Sequence, residues 1–244
     1  GWPVMGNAGE PYWKFRKPKS DSKTIVNPVE TDEFDSSKLG MQWQWQNDYK
    51  ESYGQATSMG FFRLFTYALP ELGDVSNLWY VPNMLLQKIP ADEFTATTKL
   101  SFCSRNSDQY VGLVCMSAEY SSVGLQRTED GYELQIRHNP NAMRTHLTDE
   151  VLTVDTLKPT QKGTPRKGRP AEMHIKDVYL RMSIKDSKVN YAYSIDGKKW
   201  KKAGGEYAMG KGRWIGSKIG FFAVDPNKTG RKGFIDIDWF RISR

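Results

Sequence analysis

The sequence predicts an all-β fold, a two-sheet antiparallel β-sandwich, and three observations lead to this prediction. From Thr31 onward, short segments rich in β-branched and aromatic residues alternate with turn residues about every 8–12 positions, as in sandwiches and barrels. Helical periodicity is scarce. The predicted strands are too numerous for one sheet, and 244 residues are enough to bury one substantial core. We therefore expect one domain with two packed sheets.

Alternating apolar side chains and the turns between them define the predicted strands. In chain order the strands are Met41–Trp45, Phe61–Phe65, Met84–Lys88, Phe94–Cys103, Tyr110–Met116, Val123–Arg127, Tyr132–Arg137, Val178–Ile184, Val189–Ser194, Lys218–Val224 and Phe234–Ile242. Glu129–Gly131 and Ile195–Gly197 offer residues that tolerate positive φ, which favours hairpins at these two places.

The two cysteines, Cys103 and Cys115, fall on consecutive predicted strands. A tight hairpin around Ser104–Gln109 would set Cys103 opposite Val111 and not opposite Cys115. We therefore expect no disulfide, and the redox environment of the protein stays open.

Residues 1–30 are predicted to be a linker or lead-in, and residues 31–244 the sandwich domain. Pro3, Pro11, Pro18 and Pro28 leave no room for a helix of ordinary length in the lead-in. The chain begins without an initiator methionine or a signal-peptide pattern, which indicates a mature or excised fragment.

The net charge of +7 raises nucleic acid as a partner, because lysine and arginine neutralise phosphates. Much of this charge, however, lies in one Gly/Pro-rich stretch that carries Lys158, Lys162, Arg166, Lys167 and Arg169. A solvated loop offers no helix or strand to a groove, so we expect no nucleic-acid partner. We also expect no membrane insertion, because the sequence has no apolar run of about 18 residues.

The segment from Met41 to Gln46 alternates strictly, so Trp43 and Trp45 share one face of a strand while Gln42 and Gln44 lie on the other. Tryptophan faces stack on pyranose rings and amides hydrogen-bond sugar hydroxyls, which suits carbohydrate binding. The alternative is that the tryptophans fill the core and the glutamines face solvent.

A second candidate is the aromatic segment Leu78–Asn83, in which Trp79 and Tyr80 precede a proline that stiffens the chain. Trp79, Tyr80 and Asn83 would contact sugar if this loop is exposed. Ordinary packing is the alternative. For Trp200, which follows the 195–197 turn, packing over the sheet is the better explanation.

Acidic residues near the two ends of the predicted domain suggest a cation site. Asp236 and Asp238 lie on one strand face, as a general acid/base pair would, but about 7 Å apart and without evidence of a cleft. A structural calcium ion held by Asp32, Glu33 and Asp238 is the better hypothesis, since calcium prefers oxygen ligands and the terminal strands can pair. Solvated surface acids are the alternative.

Other chemistries find little support. His138, His146 and His174 lack metal-ligand spacing, which argues against zinc and against Cys/His nucleophilic catalysis. There is no Gly-rich phosphate loop and no nucleophile elbow, and we expect no required cofactor.

Several segments, in order, resemble the C-terminal module of bacterial glycoside hydrolase family 43 β-xylosidases and arabinofuranosidases. They are Asp32–Phe34, Leu39–Trp45, Asn77–Lys88, Phe94–Leu100, Tyr110–Val114, Val178–Arg181, Tyr193–Gly197, Gly212–Gly216 and Asp236–Phe240. Gly1–Val4 and Trp13–Pro18 resemble the segment that joins the catalytic propeller to this module.

The resemblance implies a concanavalin A-like jelly roll that binds xylan and is not catalytic by itself. It also implies a family 43 catalytic propeller as partner, whose substrate pocket one loop of the module helps to close; the segment 79–83 occupies the matching place. A secreted or periplasmic location follows by analogy.

Three functional hypotheses result. The first is a non-catalytic accessory module that binds xylan or xylo-oligosaccharide and helps to shape a catalytic pocket. The second is a free-standing, lectin-like sugar-binding protein. The third, a jelly-roll glycoside hydrolase using Asp236 and Asp238, is the weakest, because the Glu-x-Asp-x-x-Glu arrangement of sandwich glycosidases is absent.

Overall fold

The computed structural model describes residues 4–16, 19, 28–68, 77–144, 148–166, 168–212, 214–227 and 230–244. Within them the chain is built from strands and two short 3₁₀ turns, Glu51–Tyr53 and Leu78–Tyr80. None of the described residues belongs to a helix long and apolar enough to cross a membrane.

The strands are numbered along the chain. They are β1 (Gly6–Asn7), β2 (Glu10–Pro11), β3 (Gln44–Trp45), β4 (Gly54–Ala56), β5 (Phe62–Phe65), β6 (Tyr67–Ala68), β7 (Leu85–Lys88), β8 (Phe94–Ser104), β9 (Tyr110–Met116), β10 (Tyr120–Arg127), β11 (Tyr132–Asn139), β12 (Glu150–Leu157), β13 (Gln161–Lys162), β14 (Met173–Lys185), β15 (Lys188–Ser194), β16 (Lys201–Ala208), β17 (Lys218–Asp225) and β18 (Phe234–Ser243).

Two eight-stranded sheets form the predicted antiparallel sandwich. The first sheet has the order β12-β11-β10-β9-β17-β7-β3, and the short β6 pairs with β17 in parallel. The second sheet has the order β16-β15-β14-β8-β18-β5-β4, with β13 beside β14. Strands that are neighbours in a sheet are often distant in sequence, so pairing between distant parts of the chain defines the fold.

The main core lies between the two sheets and follows from the alternation of each strand. In β8, Phe94, Leu100 and Phe102 point inward, while Lys99 and Ser101 between them point outward. Phe221 of the first sheet and Phe240 of the second meet across the interior, with ring centroids 5.5 Å apart.

A smaller apolar cluster covers the outer face of the first sheet, and we call it the outer cluster. It consists of Leu78, Val81, Met84, Leu86, Tyr110, Val114, Met116, Tyr120, Ala142, Phe222 and Val224, with Trp79 packed against it. The strands of this sheet are apolar on both faces here, so the outer face also needs to be covered. The segment 77–84 packs on it.

The sequence missed several strands, and the two longest of them lie at sheet edges. Glu150–Leu157 is mostly exposed, and Lys201–Ala208 carries lysines and glycines, so neither shows an apolar alternation. Conversely, the strand predicted over Met41–Trp45 is reduced to Gln44–Trp45, because only these two residues pair with β7.

The predicted hairpin at Ser104–Gln109 is wrong, because this segment crosses from the second sheet to the first. Cys103 therefore lies on the outer face of the second sheet, opposite His174, while Cys115 belongs to the core. Both thiols are free and buried.

Candidate functional site

Trp43 is a core residue, so its predicted role as a sugar platform is wrong for this conformation. Its side chain is 8% exposed and its ring stacks on Phe34 at 5.7 Å, with Phe240 edge-on at 5.3 Å. The indole Nε1 donates a hydrogen bond to Asp32 Oδ2 at 2.7 Å. The alternative interpretation of this strand, a buried tryptophan face, is the observed one for Trp43.

Trp45 lies two residues after Trp43 and is half-buried. Tyr49 and Tyr53 pack on its ring at 5.8 and 5.6 Å, and Phe62 lies 6.2 Å away. Neighbouring aromatic rings therefore take up much of the surface that a sugar would need.

The glutamines of this strand do not simply face solvent; they line a cleft. Gln42 and Gln44, together with Gln87 of β7, border a cleft of about 850 Å³ at the edge of the first sheet. Met41 at its rim is fully exposed. Amides beside an exposed apolar side chain are the combination that a sugar ring requires.

Two further clefts adjoin this one. A cleft of about 710 Å³ shares Met41 and Gln42 with it, and a cleft of about 510 Å³ shares Lys88 and Ile89 with it on the other side. We call the three together the edge groove. A run of connected clefts suits an extended ligand better than a single compact molecule.

The segment that carries Trp79 is anchored by hydrogen bonds from below. The Asn77 side chain accepts from Trp79 N at 3.0 Å and donates to Ala142 O at 3.1 Å, which caps the 3₁₀ turn. Leu78 N donates to the Tyr120 hydroxyl at 2.9 Å. The turn is thus tied to β10 and to the 139–144 segment of the first sheet's outer face.

Behind this anchor, the buried Tyr120 pairs with the half-buried Asp149. The Tyr120 hydroxyl donates a hydrogen bond to Asp149 Oδ1, and Asn139 Nδ2 donates to the same oxygen at 3.0 Å. Burial raises the pKa of Asp149 above its ordinary value, although both hydrogen bonds act against it. Burial also raises the pKa of Tyr120 well above its ordinary value, so the hydroxyl stays a donor.

The three candidates in this segment differ in exposure. Trp79 and Tyr80 are half-buried, and the Tyr80 hydroxyl donates to Met143 O at 3.3 Å. Asn83 is completely buried, and its amide nitrogen donates to Phe65 O at 2.7 Å and Ala223 O at 3.0 Å. The prediction that Asn83 contacts sugar is therefore wrong; its amide holds the segment against the sheet.

Gln46, which the sequence did not single out, links the glutamines of this region to the aromatic segment. Gln46 Nε2 donates to Trp79 O at 3.5 Å, and Lys218 Nζ donates to Gln46 Oε1 at 3.3 Å. Gln44 pairs with Leu86 of the outer cluster, which places it on the same sheet face as Trp79. Only the pairing of β3 with β7 reveals this arrangement.

The calcium hypothesis is not supported by the placement of its ligands. Asp32 accepts hydrogen bonds from the side chains of Gln42 and Trp43, Glu33 forms a two-point salt bridge with Arg241, and Asp238 pairs with Lys99 at 2.6 Å. Among the described residues, Asp32, Glu33 and Asp238 do not form a cluster that could hold a metal ion.

The predicted joining of the domain's two ends is present as direct contacts within the protein. Asp32 and Phe240 exchange backbone hydrogen bonds of 2.8 Å, and Glu33 Oε1 lies 2.8 Å from Arg241 Nε. Backbone pairing and a salt bridge therefore join the first and last parts of the predicted domain.

Asp236 and Asp238 do not form an acid/base pair. Asp236 binds Arg63 at 2.7 and 2.8 Å, and Asp238 binds Lys99. Each carboxylate has its own cation, which argues against the hydrolase hypothesis.

Some predictions concern residues outside the described part of the chain. These are His146, Lys167 of the basic stretch, Arg213, and residues 1–3, 17–18 and 20–27 of the lead-in. The division into a 1–30 lead-in and a 31–244 domain stays a prediction.

The comparisons with known proteins agree on one family. The family model for the β-xylosidase C-terminal concanavalin A-like domain matches residues 31–243. A β-xylosidase of Formosa agariphila is 27% identical over 98% of this chain, and the chain spans 40% of that relative's length.

Solved structures show the same fold. A xylan β-1,4-xylosidase from Bacillus halodurans superposes with a TM-score of 0.69 at 18% identity, over 93% of this chain and 41% of that one. A GH43 protein from Bacillus licheniformis gives a TM-score of 0.66 at 22% identity, over 91% of this chain and 40% of that one.

The part of these relatives that the chain matches is their C-terminal, non-catalytic domain, and their catalytic domain is separate. The strand order, the two-sheet sandwich and the family match lead to one conclusion. The chain belongs to the β-xylosidase C-terminal concanavalin A-like domains of glycoside hydrolase family 43.

Proposed function

We propose that this accessory domain binds xylan or xylo-oligosaccharide in the edge groove and that its aromatic segment 77–83 helps to close the substrate pocket of a GH43 catalytic domain. The observation that carries the proposal is the run of three adjoining clefts with glutamine amides and exposed apolar side chains. A linear polysaccharide can follow such a groove over several sugar units.

The chemistry of the groove supports a neutral sugar ligand. Gln42 and Gln44 offer both donors and acceptors to hydroxyl groups. Met41 and Val29, which are exposed, provide apolar surface for the faces of pyranose rings. Among neutral sugars we favour xylose units, because relatives are named β-xylosidase and xylan β-1,4-xylosidase.

The pocket-closing role rests on the anchoring of the aromatic segment. A loop that completes another domain's pocket must hold its side chains in place before binding. The backbone of Trp79 is held by the Asn77 cap and by Gln46, and that of the preceding Leu78 by the Tyr120 hydroxyl. Because xylan is an extracellular polymer, the proposal also places the domain in a secreted or periplasmic enzyme.

The first test is a calorimetric titration of the chain with xylohexaose and soluble arabinoxylan. We expect weak binding that is reduced at least about fivefold in Gln44→Ala, since hydrogen bonds to a sugar contribute about 1 kcal/mol or more each. Gln161→Ala, an exposed glutamine on β13 of the other sheet, is the matched control and should bind as the wild type does.

The second test separates groove binding from pocket closing. In the domain joined to its GH43 catalytic domain, Trp79→Ala should raise KM for xylobiose while Gln44→Ala leaves it unchanged. Trp200→Ala is the control, since Trp200 packs under Arg181 of the second sheet at 3.7 Å. Failure of the folded wild type to bind either sugar would refute the groove proposal, and an unchanged KM in Trp79→Ala would refute pocket closing.

A further inference from the structure

Three potential metal ligands converge on the outer face of the second sheet. Cys103 Sγ lies 3.5 Å from His174 Nε2, and that nitrogen lies 2.9 Å from Glu172 Oε1. All three ligand atoms lie within 4.8 Å of one another. Among the described residues, this is the one group of His, Cys, Asp and Glu side chains with such spacing.

Strand register explains the convergence. Cys103 of β8 is the direct cross-strand partner of His174 of β14, so their side chains share a face. Glu172 lies two residues before His174, and residues i and i+2 of an extended chain also share a face. The sequence argued against zinc because it considered only the spacing of histidines along the chain, which cannot show a cross-strand pair.

The surroundings hold the three side chains in place. Arg105 Nε binds the second oxygen of Glu172 at 2.7 Å and leaves Oε1 directed at His174. The backbone oxygen of His174 accepts from Thr160 N at 2.8 Å, which fixes this part of β14. Hydrogen bonds from neighbouring groups to the ligand residues orient the ligands in metal sites in this way.

We propose that Cys103, His174 and Glu172 bind a divalent transition-metal ion of the zinc class. A thiolate, an imidazole and a carboxylate are the ligand types that zinc takes, whereas calcium and magnesium prefer oxygen alone. Tetrahedral zinc bonds of ordinary length set sulfur and nitrogen about 3.5 Å apart and nitrogen and oxygen about 3.3 Å apart. The observed separations need only a small rotation of the Glu172 carboxylate.

Protons and charges are balanced when such a site binds a divalent ion. When the Sγ–metal bond forms, the Cys103 thiol releases its proton to solvent, and one thiolate and one carboxylate neutralise the two charges of the ion. The His174 and Glu172 side chains are 28% and 39% exposed, so water can reach a fourth position. The ion would join β8 to the start of β14.

The same group is poorly suited to nucleophilic chemistry. Burial, and then the charge of Glu172, raise the pKa of the Cys103 thiol to about 12. A thiol that keeps its proton is a weak nucleophile. The thiolate is also the form that binds a metal, but a coordinating divalent ion deprotonates a thiol outright, so the raised pKa of the free thiol counts against nucleophilic chemistry and not against the metal site, which rests on the ligand geometry.

The test uses the full chain and Co²⁺ as the probe, because a cobalt–thiolate bond gives a charge-transfer absorption in the near ultraviolet. We expect this absorption to appear on adding Co²⁺ and to be removed by Zn²⁺. Cys103→Ala should abolish it, and His174→Gln should weaken Co²⁺ binding at least about tenfold. His174 is partly exposed, so this second variant keeps the test valid if Cys103→Ala fails to fold.

Cys115→Ala is the matched control, since Cys115 is equally buried but belongs to the core and to no metal-binding group. The absorption should persist in this variant. An absorption that is absent from the wild type, that survives in Cys103→Ala or that disappears in Cys115→Ala would overturn the proposal.

Discussion

Replacing Trp43 with alanine removes an indole ring that is 8% exposed and in contact with Phe34, Phe221 and Phe240. An aromatic side chain buries about 150–250 Å² of surface, which at about 25 cal/mol per Å² corresponds to about 4–6 kcal/mol. Measured Trp→Ala changes in cores fall at about 3–5 kcal/mol. We expect Trp43→Ala to lower the free energy of unfolding by about 4 kcal/mol.

Part of this loss comes from the hydrogen bond of Trp43 Nε1 to Asp32. Hydrogen bonds to charged groups contribute about 1.5–3 kcal/mol, so Trp43→Phe, which keeps a ring in the core, should cost about 2 kcal/mol. Urea unfolding followed by far-ultraviolet circular dichroism measures both variants. Sugar binding by folded Trp43→Phe should match that of the wild type.

A Trp43→Ala change of less than about 1 kcal/mol would contradict the core assignment. So would a Trp43→Phe variant that keeps full stability and loses xylohexaose binding. Either result would return Trp43 to the role of a sugar platform.

Two further predictions concern the sheets. At Gly124 an added Cβ would lie 2.3 Å from a backbone oxygen of the neighbouring strand, so Gly124→Ala should cost about 3 kcal/mol in urea unfolding. Gly205→Ala, where no atom lies within 4 Å, should change stability by less than about 0.5 kcal/mol, and equal effects would refute the clash. Burial lowers the pKa of His138, but hydrogen bonds to Glu150 and Glu119 outweigh it, so the folded-state pKa is raised. The stabilisation of the folded state by His138 is complete below the ordinary pKa and is lost as pH rises through the folded-state pKa. The difference in the free energy of unfolding between wild type and His138→Gln should therefore decrease between about pH 5.5 and about pH 8.5. An advantage that is the same at both pH values would contradict this.

The fold class and the family were predictable from the sequence, because alternation and local strings of residues are properties of short stretches of chain. The strand Tyr110–Met116 was predicted to the residue. Edge strands such as Glu150–Leu157 were not, because an exposed strand needs no apolar pattern and takes its conformation from its partner.

The candidate site was likewise predictable from the sequence only in part. The alternation predicted opposite faces for Gln44 and Trp45, as their pairing with Leu86 and Leu85 shows, but not which face is buried. That choice depends on the docking of β3 beside β7, which turns Trp43 toward Phe34 and the glutamines toward the edge groove.

The sequence by itself therefore determined the strand-rich sandwich and the family. Only the tertiary structure decided that Asn83 is a buried anchor, that Asp32 pairs with Phe240 through the backbone, and that Cys103 faces His174. The physical reason is that side-chain direction follows from local alternation, whereas proximity across a sheet depends on register between strands far apart in the chain.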